Sequence, residues 1–493
     1  MVRSIGNVQK DAKIRATVSE NMSAGDPVVV NSDGTVTSVQ IFTNTITEAF
    51  GSETNFTSDT AYYVSSAFDS ANNKIVIAYQ DSDDNKGYCV VGTVSGVNST
   101  SITFGTPVAI STSTLTWTSV SFDTNSGKFA VFYTRSGDGY GKVGTISGTS
   151  ISFGSESATF WSASSVSNTA SVFDPSENVF VVAHTKGSDS ANVIAASISG
   201  TSLSFGSTSQ FDSNACQDMA LAYNPDNQNV MLVYRDTGTS NYGKALTCTQ
   251  DGTSITRSSN QYVYNSGYTR RQSVVYDTSA NKFLISYEDL GNSNKGTSVV
   301  ATASGSGTSA SFSFGSETVF ADYSSTYVSS AFDSNVNKCV VFYEENSTGR
   351  GYVAVGTVSG TSVTFDTPVQ ITVDGTSIFY TSAVFDSNSN VVVCSFGDFT
   401  DTAGTSVVFR NASSESNPNL TSENFIGFAS GDYTDGDVGA IINSTCSIDN
   451  NQSSLTAGQK YYVRTNGTLN LSAGSPSVEA GTAISSTEIL VKG

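Results

Sequence analysis

Charge is scarce in this sequence, and positive charge scarcest. Of 493 residues, 13% are Asp, Glu, Lys or Arg, against the ~25% usual in soluble domains. Lys and Arg number 23 against 43 Asp and Glu, a net charge of −20. Duplex nucleic acid is held by clustered cations that displace its counterions, so no nucleic-acid partner is expected. Docking on an anionic membrane is opposed for the same reason. No run of 18 apolar residues exists, so no membrane insertion is expected. The start, MVRSIGNVQKDAK, lacks the apolar stretch of a secretory leader. Six cysteines (Cys89, Cys216, Cys248, Cys339, Cys394 and Cys446) stand far apart without a CxxC, which argues against zinc. Cys89, Cys339 and Cys394 fall inside apolar runs and read as buried free thiols, a usage that fits assembly in a reducing cytosol.

What is present is a repeat. The stretch SSAFDSANNKIVIAY (65–79) reads as strand, tight turn, strand, and it returns six times. Its first aromatic falls at Phe68, Phe122, Phe173, Tyr223, Tyr276, Phe332 and Phe385, at intervals of 54, 51, 50, 53, 56 and 53 residues. A second ring follows 11 residues later in every copy: Tyr79, Tyr133, His184, Tyr234, Tyr287, Tyr343 and Phe396. Insertions are thus excluded from the hairpin and tolerated elsewhere. Repeats of this length made only of strands predict an all-β, seven-bladed β-propeller.

Each repeat supplies four strands. Strand A, the SSAF run, has small residues suited to a crowded centre. Strand B, KIVIAY, is apolar at nearly every position, as for a sheet covered on both faces. Strand C is GYCVVGTV and strand D is SITFGTPVAI. The seventh repeat ends at strand C, residues 404–412, without a D strand. A segment matching strand D, residues 45–56, precedes the first repeat. The N-terminal strand is therefore expected to close the ring, removing an open edge.

Two related segments flank the repeats, MSAGDPVVVNSDGTVTSV (22–39) and LTAGQKYYVRTNGTLNLS (455–472). They are expected to form one small β module built from both termini, joined by strands at 425–429, 438–442 and 488–492. The expected domains are 1–42, first half of that module; 43–412, the propeller; and 413–493, the second half. With four antiparallel strands per blade, both chain ends leave on the A–B turn face. The module is expected there as a mount, with the D–A and B–C connections facing away.

Several residues invite a chemical reading. An Asp follows the first aromatic at Asp69, Asp123, Asp174, Asp277, Asp333 and Asp386, with Asn224 in repeat four. The residues after it are turn formers, and no spacing matches a calcium loop, so turn capping is expected rather than a metal. His184, the one histidine, occupies a place held elsewhere by Tyr or Phe. It reads as a structural ring with its polar tip near a loop, not as a catalytic base. A sialidase-like site would want clustered Arg. The chain has ten Arg, with Arg270–Arg271 the sole cluster in the repeats, and lacks an SxDxGxxW box. No enzyme activity, cofactor or metal is expected.

The informative positions differ between repeats. Five residues before each first aromatic stand Tyr63, Trp117, Asn168, Asp218, Arg271, Tyr327 and Tyr380. They are expected to ring the channel mouth where strand A begins. Trp and Tyr there can stack on sugars or anchor a protein; rim packing that seals the channel is the alternative. The B–C loops at 81–86, 134–139, 235–240 and 344–350 also vary, as on a recognition face.

The phrases FDSNxNKxVVxY and GTVSGTSxxFGTPV, and the tail LTAGQKYYVRTNGTL…VEAGTAISSTEILVKG, resemble the VrlC-like β-propeller repeat proteins of bacteriophages, cyanophages especially. The resemblance covers nearly the whole chain. It implies a virion structural or tail-fibre-type protein and carries over no catalytic residue. The expected function is host attachment by a tail fibre, tail tip or capsid appendage through the outward propeller face. A purely structural decoration or connector is the alternative, and a glycan hydrolase a more distant one. The expected partners are other virion proteins, through the terminal module, and a host cell-surface glycan or protein. A homo-oligomer is left open.

Overall fold

The computed structural model describes residues 12–162, 166–187, 190–373 and 375–492. Most of the stretch read above for a leader, residues 1–11, lies outside them. The chain divides into two compact units. One runs from Glu48 to Ala412. The other combines the segment up to Thr47 with the chain from Ser413 onward.

In the larger unit every repeat is an antiparallel sheet in the order A–B–C–D. The first comprises Ala61–Asp69, Lys74–Asp81, Lys86–Val94 and Ile102–Phe104. Later A strands are Thr116–Asp123, Val166–Asp174, Cys216–Asn224, Thr269–Asp277 and Ile378–Asp386. That of repeat six is the second half of Thr318–Asp333, a 16-residue strand whose first half pairs with repeat five. Successive A strands pack side by side, and Ile378–Asp386 packs on Ala61–Asp69. Their small side chains allow this approach. The Ser66 and Ser382 hydroxyls meet at 2.7 Å, and those of Ser119 and Ser171 at 2.8 Å.

The A–B turns follow from their sequence. In all seven copies the Asp or Asn side chain accepts backbone N–H bonds from the turn, as Asp69 does from Ala71 and Asn72 at 2.9 and 3.0 Å. The turn closes through a left-handed residue, Asn73, Gly127, Asn178, Gln228, Asn281, Asn337 or Asn390, a conformation that Asn and Gly adopt most cheaply. These carboxylates are therefore caps.

Strand D departs from the continuous strand expected. It breaks at its Phe-Gly step into two segments that both pair with strand C, as Ile102–Phe104 and Val108–Thr114 do. A Cβ on Gly105 would lie 2.2 Å from the Thr149 carbonyl oxygen in the next repeat. Gly51, Gly154, Gly206 and Gly315 face Thr100, Thr201, Thr253 and Thr361 in the same way. Glycine lets these five outer strands touch the neighbouring C–D turn; repeats four and six have Ser258 and Asp366 at that place. At the N-terminus Ala49–Phe50 and Thr54–Thr57 pair with Ala403–Arg410 of repeat seven.

Beyond the break, strand D presents an apolar side chain to the next repeat's second ring. Phe56 meets Tyr79 at 5.1 Å, Phe160 meets His184 at 5.3 Å, and Phe211 meets Tyr234 at 5.1 Å. Tyr264 meets Tyr287 at 5.3 Å and Phe320 meets Tyr343 at 5.1 Å. Ile110 and Ile371 join the clusters holding Tyr133 and Phe396. Phenol hydroxyls bond the outer strand of their own repeat, Tyr133 to Glu156 at 2.5 Å and Tyr287 to Glu317 at 2.9 Å. The first aromatics are less enclosed. Phe332 is only half-buried, packed at the edge of the cluster that holds Tyr343.

Five cysteines are buried, Cys89, Cys339 and Cys394 among them, and Cys446 is exposed. Burial pushes their thiols up, Cys248 to about 12.

The smaller unit contains two sheets and a ribbon. One sheet does combine both termini, in the order Lys13–Thr17, Val438–Asn443, Phe425–Ala429, Pro27–Val30, Val36–Ser38. The expected strand at 488–492 is not in it. Ile489–Val491 belongs to a second sheet drawn from the C-terminal segment alone, with Ile448–Asp449, Val478–Ala483, Lys460–Val463 and Leu469–Asn470. The chain turns into it at Asp449, fully buried, which accepts bonds from Asn443 at 3.0 Å and Gln452 at 2.7 Å. Val29, Phe428, Tyr461, Val463 and Ile489 share one core. The two related segments adopt the same local form. Gly25 and Gly458 have φ of +87° and +81°, and Gly34 and Gly467 +84° and +79°. The strand expected to begin at 45 starts at Ala49 instead, because Ile41–Ile46 pairs with Ser413–Pro418 as an exposed ribbon.

His184 is fully buried, and neither nitrogen finds a hydrogen-bond partner among the described residues. The imidazole lies between Phe160 and Trp161 as a neutral aromatic. Burial holds its pKa down from 6.5 to about 4. The unfolded chain takes up this proton near 6.5, so the stability present above that pH is lost as pH falls toward 4. His184→Phe should therefore lose less thermal stability over that interval than the parent, measured by circular dichroism melts. Equal losses would show that the imidazole titrates normally.

Candidate functional site

The seven variable residues share a backbone conformation before they share anything else. Tyr63, Trp117, Asn168, Asp218, Arg271, Tyr327 and Tyr380 have φ of 51°, 55°, 53°, 51°, 53°, 48° and 48°. Each lies in a β-bulge. Strand A pairs through Tyr62↔Gln80, then resumes at Ser65↔Ala78, so it has one extra residue; the shift recurs in all seven repeats. A bulge turns a side chain out of the sheet. Left-handed φ on a residue with a Cβ costs ~1–3 kcal/mol, and glycine would avoid most of that. None of the seven is glycine.

All seven are half-buried. Trp117, Tyr63, Tyr380 and Tyr327 form an aromatic arc with centroid separations of 4.8, 4.9 and 5.5 Å. Arg271 continues it, its guanidinium 4.2 Å from the Tyr327 ring centroid. The Asp218 N–H lies 3.4 Å from Asn168 Oδ1. Asp218, Arg271, Tyr327 and Tyr380 line one cavity of about 150 Å³. Burial and the neighbouring Tyr380 push the Tyr63 phenol up to about 12.

Beneath the charged half lies a set of residues that the sequence reading passed over. They fall one place after the second ring: Arg235, Glu288 and Glu344 in repeats four to six. Arg235 bonds Asp218 at 2.9 Å, Asn241 at 3.0 Å and Tyr268 at 3.2 Å, and also Gln217. Glu288 accepts from Thr326 at 3.1 Å. With Arg270, Arg271 and Tyr327, the two glutamates line a cavity of about 360 Å³. Burial pushes both carboxyls up, Glu344 to about 8 against the pull of Arg271 and with added repulsion from Glu288. Glu344 is thus protonated at neutral pH and can donate as well as accept. The invariant 11-residue offset was the available signal: the next residue varies while its neighbour does not.

The mouth therefore has two unlike sides, aromatic faces on one and guanidinium, carboxyl and amide groups on the other. Aromatic faces take the apolar face of a sugar ring, and the polar groups suit hydroxyls. Glu53, Asp398 and Asp401 form a further acidic group. Its carboxylates serve backbone N–H groups, Glu53 that of Val373 at 2.8 Å and Asp398 that of Thr400 at 2.8 Å.

No protein-family model matches the sequence, and no curated protein does. Solved structures do match. The chain is similar to the BP39L lectin of Burkholderia pseudomallei, with a TM-score of 0.54 at 11% identity over 73% of this chain and 99% of that one. It is also similar to the Dos1 propeller, at 10% identity and TM-score 0.44 over 74% and 95%. A third match is a chain of the mitotic checkpoint complex, at 11% identity and 0.47 over 73% and 93%. The lectin likeness, joined to the repeated sheets, shows the fold: an all-β repeat protein of the β-propeller type.

The strain at the mouth can be measured. Trp117→Gly should be more stable than Trp117→Ala by about 1 kcal/mol in chemical denaturation, because both lose the indole and glycine alone tolerates the left-handed φ. The reverse order would show that residue 117 does not hold that conformation.

Proposed function

We propose that the repeat unit is a seven-bladed propeller closed by its N-terminal strand, and that the chain is a bacteriophage virion structural protein whose channel mouth attaches to a host-surface glycan. Closure is supported by the pairing of Ala49↔Arg410, Phe50↔Phe409 and Thr57↔Gly404, and by the Ser66–Ser382 bond between first and last A strands. The virion reading rests on the resemblance in the repeats and tail. The smaller unit supports a docking role toward other virion proteins. Nine of the fifteen exposed large apolar side chains among the described residues lie on it, including Phe42 and Val438, and exposed apolar surface marks interaction sites.

The observation that carries the binding reading is the contrast at seven equivalent positions. Their backbone is alike and strained, yet their side chains divide into an aromatic arc and a charged one. Strain retained at such a place is the mark of a functional constraint. The aromatic contacts of 4.8–5.5 Å also suit a second reading, in which the rings plug the channel of a purely structural connector. Host polysaccharide retained on immobilised protein, with at least about tenfold weaker retention by Trp117→Ala and Tyr63→Ala, is the result expected for attachment. Retention unchanged in both variants would leave the plug as the role of these rings.

Closure has its own test. Deleting the chain up to Thr57 removes the strand paired with Ala403–Arg410 and bares an edge, so the truncated protein should aggregate. A soluble, monodisperse product in sedimentation would refute the closed ring.

A further inference from the structure

The outer strands carry a second, independent departure from the repeat. Six of seven D strands place Phe at their break: Phe50, Phe104, Phe153, Phe205, Phe314 and Phe365. In repeat four that residue is Arg257. In four of them this Phe lies on an outer-strand ring of the preceding repeat, while Phe50 is exposed. Phe104 lies on Phe56 at 5.8 Å, Phe205 on Phe160 at 5.5 Å, Phe314 on Tyr264 at 6.1 Å and Phe365 on Phe320 at 5.6 Å. Between repeats three and four, Phe211 keeps its contact with Tyr234, but the third ring is missing.

A groove of about 1040 Å³ opens in its place, lined by Gln210, Asp212, Asn214, Lys244, Arg257 and Gln261 among others. Two of its charges are already committed. Lys244 pairs with Asp236 at 2.5 Å and donates to Gln261 at 3.1 Å. Asp212 accepts from the Asn214 N–H at 2.9 Å and the Tyr234 hydroxyl at 3.4 Å. Arg257 is half-buried, and its side chain makes no hydrogen bond or ion pair among the described residues. A protein of net charge −20 thus keeps an uncompensated guanidinium in a wide polar groove.

We propose that this groove is a binding site for an acidic saccharide of the uronic-acid class, its carboxylate on Arg257 and its hydroxyls on the surrounding amides. The guanidinium fork matches a carboxylate in two parallel bonds. The volume suits a short oligosaccharide. The site is separate from the channel mouth and does not depend on what that mouth binds.

Titration calorimetry with a galacturonate oligosaccharide, its methyl ester and a neutral glucose oligosaccharide of equal length tests this. The free acid should bind, and the ester and neutral sugar at least about tenfold more weakly, the loss expected for one charged hydrogen-bonding contact. Arg257→Phe restores the residue of the other six strands and should fold while losing the same factor; Arg257→Gln should lose it without refilling the seam. Trp117→Ala should bind the acid as the parent does. No association of the acid with the parent, equal binding of acid and ester, or undiminished binding by both Arg257 variants would overturn the proposal.

Discussion

Everything in the larger unit depends on one contact, the apolar side chain of an outer strand lying on the second ring of the next repeat. A single sheet of four strands cannot bury its own faces. Here the B strand is covered by neighbours on both sides, and the outer strand supplies the link. Five of these contacts are ring on ring at 5.1–5.3 Å. In five repeats a glycine step brings the outer strand close, since a Cβ there would strike the neighbouring turn. Insertions between the two rings would misplace one partner, which is why the 11-residue offset never varies while the repeat length does.

The division of labour along strand A follows from that frame. Its lower part must be small, because A strands converge with hydroxyls at 2.7–2.8 Å. Its upper part is freed by the bulge, which lifts one residue per repeat out of the sheet. The bulge is common to all repeats, but the side chain it presents is not. Chemistry can thus vary at the mouth without disturbing the contacts that hold the sheets together.

Much of this was legible in the sequence because it is periodic. The hairpin, its Asp caps and the ring spacing are local, and seven copies expose them. The positions from Tyr63 to Tyr380 could be read as one register, but not their left-handed backbone, since no glycine marks the bulge. Glu288, Glu344 and Arg235 escaped notice because their importance comes from burial beside Arg271 and Asp218, which are distant in the chain. The smaller unit has no repeat to average over. Its two Ala-Gly segments could be matched and its strands placed in one unit, but not its division into two sheets, as the turn at Asp449 depends on partners that only the folded chain brings together.

The strand Thr318–Asp333 crosses from repeat five to repeat six without a loop. Elsewhere, connecting residues separate the last outer-strand segment from the next inner strand and can absorb small rotations between sheets. Here the polypeptide itself is the joint, paired with Lys295–Ser304 on one side and Lys338–Glu345 on the other. Repeats five and six therefore move as one plate. The charged cavity between Arg271 and Glu344 spans this joint, with residues from both repeats in its lining.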